Sequence, residues 1–434
     1  MALYFGTDGI RGVANQQLTP DLATRCGNAL AQMGGKKVLV GRDTRVSGDM
    51  LVCSLASGLT AGGCDVVDVG VLPTPAISYL TKKYGCDFGV VISASHNPPE
   101  YNGIKIFDNN GIKLCDQKEQ IAEGFMASMH LAPSDKTGRY IHKDGLNDYC
   151  TFLQNCTNAS LRGLKIALDC SNGATGVTAK RVFEKLGAKV FAFFAHTDGR
   201  QINCGCGATN PRFLANKVKQ LGCNVGFCFD GDGDRVVAID ENGCIADGDK
   251  ILYILAKHKL EQNKLEPKVV AGTFYTNVGV ENALKKLGIT LLRCDVGDKY
   301  VSNLMRSKNL LLGGEQSGHI VMSEFLSTGD GTLVSLQLSK LLFNQPLSKL
   351  AEVSVFAQVG LDVVTKDKMQ VINNQKLWQV VTEQSEGFDG RILVRASGTE
   401  PKVRILVESV DQNEAKKVAN IIAKVIENIA ICVE

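Results

Sequence analysis

Asp230-Gly231-Asp232-Gly233-Asp234-Arg235 follows directly on the apolar run Val225-Gly226-Phe227-Cys228-Phe229. Carboxylates packed this closely repel one another and oppose folding unless a cation sits among them. Hard oxygen donors on a short, permissive backbone suit Mg²⁺ or Ca²⁺. Arg235, directly after them, suggests an anionic ligand beside the metal, so the loop points toward divalent-metal phosphate chemistry. A solvated acidic turn is the ordinary alternative, since Asp and Gly are turn residues. An EF-hand is rejected. Asp230, Asp232, Asp234 and Glu241 match its acidic positions, but Arg235 occupies the position that must be glycine. The flanks, Val225 to Phe229 and Val236 to Ile239, also read as strands and not as helices.

Ser95 lies in Ser93-Ala94-Ser95-His96-Asn97-Pro98, after the apolar run Gly89-Val90-Val91-Ile92. A serine at a strand end beside a histidine invites the reading of a nucleophile. The G-x-S-x-G elbow is missing, and neighbouring side chains on an extended backbone point apart, which argues against a Ser-His triad. A phosphoryl carrier is the alternative: a serine phosphate would complete the shell begun by the three aspartates. A plain turn serine, with Pro98 and Pro99 after it, is the bland reading.

Three further loops offer phosphate- or sugar-binding groups. Gly6-Thr7-Asp8-Gly9-Ile10-Arg11-Gly12 sets Arg11 in a Gly-rich loop, and Asn102-Gly103-Ile104-Lys105 places Lys105 near Ser95; each alone could be a solvated cation. Arg395-Ala396-Ser397-Gly398-Thr399-Glu400-Pro401, with Arg404 nearby, combines guanidinium and hydroxyl donors suited to a phosphate dianion, or else is a hairpin turn. Glu315, Ser317 and His319 in Gly314-Glu315-Gln316-Ser317-Gly318-His319 supply partners for sugar hydroxyls and a candidate proton shuttle, against a Gly-rich turn as the alternative.

The elements that must hold these loops repeat. Val38-Leu39-Val40 leads into Gly41-Arg42-Asp43-Thr44-Arg45, a helix-like stretch and Val66-Val67-Asp68-Val69. Lys165 to Asp169 and Lys268 to Ala271 open similar units, with helices expected around Arg181 to Leu186 and Glu281 to Leu287. Each unit is followed by another apolar strand ending in a polar loop: Gly89 to Ile92, Val225 to Phe229 and Leu310-Leu311-Leu312. Alternating strands and helices predict an α/β fold with largely parallel sheets, and chemistry collects at strand carboxyl ends in such sheets. The tail differs: Ile392 to Arg395, Val403 to Glu408 and a helix from Asn413 to about Asn428 read as a small α+β unit.

At 434 residues the chain exceeds one hydrophobic core. Its 48 basic and 45 acidic residues leave a net charge of +3, which implies no general affinity for nucleic acid or membrane. Fifteen cysteines, an odd number without a C-x-x-C pair and with Cys170 and Cys228 inside apolar runs, favour reduced thiols. No signal peptide or membrane span is legible, so a cytoplasmic protein is expected.

In their order, Ser95-His96-Asn97-Pro98, Asp230 to Arg235, Gly314 to His319 and Arg395 to Pro401 resemble the α-D-phosphohexomutases. The resemblance runs from Phe5 to Glu408. Within the family it looks most like the bacterial branch acting on glucosamine phosphates, through the amino-terminal loop, Ile92 to Ser95, Val296-Gly297-Asp298-Lys299-Tyr300-Val301 and Gln316. It implies three related mixed α/β domains and a smaller α+β carboxy-terminal domain around a central cleft. The implied domains are a phosphoserine domain (1–146), a metal-binding domain (147–247), a sugar-binding domain (248–356) and a phosphate-clamp domain (357–434). Ser95 becomes the phosphoserine, and Asp230, Asp232 and Asp234 hold one Mg²⁺ per subunit with its phosphate. Arg11, Lys105 and His319 become acid/base or charge-stabilising groups; Glu315 and Ser317 bind sugar hydroxyls; Arg395, Ser397, Gly398 and Thr399 grip the other phosphate; Arg235 and Arg404 are further substrate-binding residues. The implied activity isomerises a hexosamine phosphate through a 1,6-bisphosphate and feeds UDP-N-acetylglucosamine and cell-wall synthesis. Glucose or glucosamine 1,6-bisphosphate is the candidate activator, and a homodimer the candidate assembly. Tyr101 before Asn102-Gly103 is the form of sister enzymes on mannose or glucose phosphates, which stay open as alternatives, as does a metal-dependent sugar-phosphate phosphatase.

Overall fold

The computed structural model describes residues 4–6, 8–127, 131–397 and 400–431. The chain divides into two compact units, residues 1–274 with 292–352, and residues 275–291 with 353–434.

In the first unit, the strand Phe88–Ile92 is buried at every position, as a strand covered on both faces must be. It runs parallel to Lys37–Arg42 and antiparallel to Tyr101–Asp108, in the middle of a seven-stranded sheet. The antiparallel half corrects the expectation of largely parallel sheets: Tyr101–Asp108 and Gly9–Val13 turn back on the parallel core. Arg11 accordingly sits on a strand, opposite Gly103, and not in a loop. Short glycine-bearing sequence carries no period-2 signal here; the neighbouring strand decides its conformation.

A five-stranded sheet contains Val225–Phe229, again wholly buried, parallel to Lys165–Asp169 and antiparallel to Val236–Ile239. A four-stranded sheet runs in the order Thr290–Cys294, Val269–Thr273, Leu312–Gly314, Ile320–Met322. Its strand begins at Leu312, later than expected. The helix Asp298–Lys308 ends on left-handed Asn309, and Leu310 donates its N–H to Met305 O at 2.8 Å, so Leu310 finishes a helix cap and Leu311 links it to the strand.

In the second unit, Ala357–Val364, Lys402–Ser409 and Gly390–Ala396 form an antiparallel sheet with Lys402–Ser409 central. The helix Gln412–Ile431, slightly longer than expected, shares an apolar core with it through Ala415, Ala419, Ile422 and Ile426. Among the described residues, no helix is long and apolar enough to cross a membrane. Cys170 and Cys228 are fully buried, and burial pushes the Cys170 thiol up to about 12.

Candidate active site

The turn between Val225–Phe229 and Val236–Ile239 carries Asp230, Asp232 and Asp234, all buried, with one oxygen from each within 4.8 Å of the others. Strands on both sides exclude an EF-hand. Gly233 has φ +71°, and a Cβ on Gly231 would lie 2.7 Å from Ser95 O, so both glycines are required by the fold of the turn. Burial, then the charges of Asp234 and Asp232, push the Asp230 carboxyl well above its usual range. Burial also acts to raise Asp234, but Lys105, His319 and Arg235 together hold it well below. Among the described residues, Asp232 Oδ1 and Asp234 Oδ1 are buried and accept no hydrogen bond. Buried, unbonded hard oxygens fit a divalent metal.

Lys105 projects into this cluster from Tyr101–Asp108. Its Nζ lies 2.8 Å from Asp232, 3.1 Å from Asp8 and 3.4 Å from Asp234. Burial favours its neutral form, but the three carboxylates overcome this and hold it charged, well above its ordinary value. Thr74, at the start of the helix Thr74–Lys83, donates Oγ1 to Asp232 Oδ2 at 2.6 Å and its N–H to Asp232 O. Sequence reading missed Thr74, whose surroundings carry no motif.

Ser95 is fully buried and donates its hydroxyl to Asp230 Oδ2 at 2.6 Å, joining residues 135 apart in sequence. It has φ +51°, in the left-handed region. This corrects the expectation that Ser95 and His96 point apart: on this backbone His96 Nδ1 lies 3.4 Å from Ser95 Oγ. Burial, with Arg235 and Arg11 adding to it, depresses His96 to about 4, so its imidazole is neutral at physiological pH.

His319, almost fully buried, places Nδ1 3.7 Å from Asp234 Oδ2, while Nε2 accepts the Gly329 N–H at 3.1 Å. That pattern assigns the neutral tautomer with its proton on Nδ1. Burial opposes its charging, yet Asp234 and Asp298 raise its pKa above the ordinary value. Asp234, Asp298 and His319 form a second group of closely spaced ligand atoms, but there Lys113 already bridges Asp298 and Asp8. Lys113 was not anticipated; nothing in Gly111-Ile112-Lys113 separates it from a surface lysine. Arg11 pairs with Asp8. Arg235 is raised by Asp234, Asp230 and Glu315 against a burial effect that would lower it. Glu315 is buried and accepts the Gly297 N–H at 2.9 Å, whereas Ser317, at the tip of the same turn, is exposed.

In the second unit, Arg395 and Arg404 stand directly opposite each other on paired strands. Like charges so placed are mutually unfavourable, which suits an anion between them. The Arg395 guanidinium lies 5.6 Å from the Tyr275 ring centre, and Arg404 Nη2 is 2.7 Å from Glu400 Oε2. Ser397 is buried, its Oγ accepting the Glu400 N–H. Gly398 and Thr399 lie outside the described residues.

Models of the phosphoglucomutase/phosphomannomutase family match nearly the whole chain. The alpha/beta/alpha domains I, II and III match residues 2–130, 147–243 and 247–356, and the C-terminal domain matches 361–425. The phosphoglucosamine mutase of Clostridioides difficile (strain 630) is 42% identical over 446 residues, covering 98% of this chain and 99% of that protein. A phosphoglucomutase/phosphomannomutase family protein of Burkholderia thailandensis superposes with TM-score 0.83 at 25% identity, over 98% of this chain and 97% of that one. The N-acetylphosphoglucosamine mutase of Aspergillus fumigatus, solved in complex with GlcNAc-6P and magnesium, has TM-score 0.65 at 16% identity, over 94% and 96%, a likeness of fold alone.

Proposed function

The chain belongs to the phosphoglucomutase/phosphomannomutase family, and on that footing we propose that it interconverts glucosamine 6-phosphate and glucosamine 1-phosphate through a phosphoserine at Ser95. The observation that carries this reading is the 2.6 Å hydrogen bond from Ser95 Oγ to Asp230 Oδ2, which joins a buried serine to a buried cluster of hard oxygens. The substrate follows the full-length relatives that act on glucosamine phosphate.

Asp230, Asp232, Asp234 and an oxygen of the Ser95 phosphate would hold one Mg²⁺, which when bound neutralises charge on the phosphoryl oxygens. In the forward direction the sugar's 1-hydroxyl attacks the Ser95 phosphorus. The new P–O1 bond forms, the P–Oγ bond breaks, and the hydroxyl proton leaves to a base. The resulting 1,6-bisphosphate turns end for end, and Ser95 Oγ takes back the 6-phosphoryl. Lys105, held charged by its carboxylate neighbours, and Arg11 would stabilise the transferring group. His319, with its proton placed on Nδ1 and its pKa raised, is the group suited to carry a proton. Glu315 and Ser317 would bind sugar hydroxyls, Arg395, Ser397, Gly398 and Thr399 would grip the distal phosphate, and Arg235 and Arg404 would add to substrate binding. The complete burial of Ser95 supports exclusion of water, whose attack would waste the phosphoserine. The four functional regions are assigned to 1–146, 147–247, 248–356 and 357–434, and glucose or glucosamine 1,6-bisphosphate is the expected activator.

Tyr101 ahead of Asn102-Gly103 favours a second reading, action on mannose or glucose phosphates. A panel of the three hexose 6-phosphates separates them. The glucosamine compound is expected to have the largest kcat/KM, and a larger value on mannose or glucose phosphate would transfer the assignment to the sister reaction. Steady release of phosphate without isomerisation would make the chain a phosphatase.

A further inference from the structure

The Gly41-Arg42-Asp43-Thr44-Arg45 loop stands out in the sequence and takes no part in the mechanism above. Its arginine is the most heavily engaged side chain near the reacting serine. The Arg45 guanidinium is fully buried; Nη2 donates to Ser95 O at 2.9 Å and Asn97 O at 2.8 Å, and Nη1 to Tyr101 O at 2.8 Å and also to Pro98 O. Nε donates to Asp43 Oδ2 at 3.0 Å. The same carboxylate oxygen accepts the Ser93 hydroxyl at 2.6 Å, and Ser93 Oγ accepts the Ser95 N–H at 2.9 Å. One ion pair therefore holds both the N–H and the C=O of Ser95.

A second clasp comes from the neighbouring sheet's loops. Asn203 Nδ2 donates to Ser95 O at 2.9 Å and Asn97 O at 3.0 Å, and Thr44 Oγ1 donates to Asn172 O at 2.6 Å. Ser95 O thus receives two N–H donors, from the Arg45 and Asn203 side chains, and Gly231 packs so closely that a Cβ there would lie 2.7 Å from the same oxygen. The held residue has φ +51°, which a serine seldom adopts unless its surroundings over-determine it. Turned to an ordinary extended backbone, Ser95 would swing its hydroxyl off Asp230.

We propose that Arg45, supported by Asp43, Ser93 and Asn203, is a positioning residue that locks Ser95 in its left-handed conformation and so decides whether the serine phosphoryl passes to sugar or to water. The inference rests on the phosphoserine reading. With the lock intact, the phosphorus faces the sugar hydroxyl. With it loosened, a water oxygen attacks phosphorus, the P–Oγ bond breaks, a proton passes from the water to the serine oxygen, and inorganic phosphate leaves. None of the lock residues is among those assigned to the substrate above.

The test uses Arg45→Lys, which keeps the charge toward Asp43 but loses the fork, and Asn203→Gly, which removes only the amide and tolerates the φ of +59° found there. Misplacement of a reacting group by about 1 Å costs on the order of 100-fold in rate, so kcat of Arg45→Lys should fall about that far, and that of Asn203→Gly about ten-fold. KM for the sugar phosphate should stay within about two-fold in both, and phosphate released per isomerisation should rise about ten-fold. Should Arg45→Lys fail to fold, Asn203→Gly decides. Folded variants with the wild-type release ratio, or with KM and kcat disturbed together, overturn the proposal. Hydrogen exchange over residues 93–98 separates the two failures. Faster exchange in the variants of a protein without mutase turnover overturns the phosphoserine reading alone; unchanged exchange overturns the lock.

Discussion

Lys105 and a divalent metal have claims on the same carboxylates, and this competition can be measured. Lys105 Nζ lies 2.8, 3.1 and 3.4 Å from Asp232, Asp8 and Asp234, with side-chain exposure of 1%. Replacing it with methionine keeps the volume and removes the only ammonium bonded to Asp232 among the described residues. Deleting one partner of a buried ion pair costs about 3–5 kcal/mol, because the remaining charge is left uncompensated. Here three acids lose a shared cation, so the upper half of that range applies in the presence of chelator. Added Mg²⁺ would then supply the missing charge. A ligand at about 100 times its dissociation constant stabilises by about 2.7 kcal/mol, and the vacated carboxylates should bind it more tightly than in the parent. Urea unfolding of parent and Lys105→Met, each in chelator and in saturating Mg²⁺, gives the four free energies required. The variant is expected to be about 4 kcal/mol less stable in chelator and to recover at least half of that with Mg²⁺, a larger gain than the parent shows. A loss below about 1 kcal/mol in chelator, or equal Mg²⁺ gains in both proteins, would refute the competition.

Two further outcomes follow from the same physics. Burial raises Asp330, the cap of the helix Gly331–Leu341, from 3.8 to about 6, against hydrogen bonds from Leu333 N–H and the Tyr149 hydroxyl. The folded protein therefore holds that proton more tightly than the unfolded chain, so this group's contribution is fully present below about pH 4 and is lost as pH rises through about 6. Asp330→Asn should gain up to about 3 kcal/mol over the parent near pH 8 and little near pH 4, in urea titrations across that range. Arg395→Ala relieves a like-charge pair across the sheet, so its stability should change by less than about 1 kcal/mol, while KM for the sugar phosphate rises about ten-fold or more in initial-rate assays.

The sequence was most legible where charge is concentrated. Asp230, Asp232 and Asp234 suggest a cation from their spacing alone, and the fold buries them together as a group that could hold one; the buried strand before them follows from its unbroken apolar run. It failed where a role depends on backbone groups converging in space. Arg45 received no role from the sequence; only the fold brings the carbonyls of Ser95, Asn97, Pro98 and Tyr101 onto its guanidinium. The same limit hid the geometry of Ser95 and His96, because a left-handed serine is imposed by its neighbours and has no local signature. Arg11 was misplaced in a loop because its strand exists only through pairing with Tyr101–Asp108. Leu310 and Leu311 looked like strand because an apolar residue closing a helix cap, and the one leading on to the strand, have the same composition.

The phosphoserine itself is the point on which the account stands. Parent protein and Ser95→Ala, each exposed to hexose 1,6-bisphosphate labelled in its phosphoryl groups and then separated from it, can be compared for protein-bound label and for mutase turnover. The parent should carry up to one phosphate per chain, on Ser95, and lose it to added glucosamine 6-phosphate as the bisphosphate appears. Ser95→Ala should bind no label and isomerise nothing. Substantial turnover by Ser95→Ala, or label on the parent at another residue, would contradict the account.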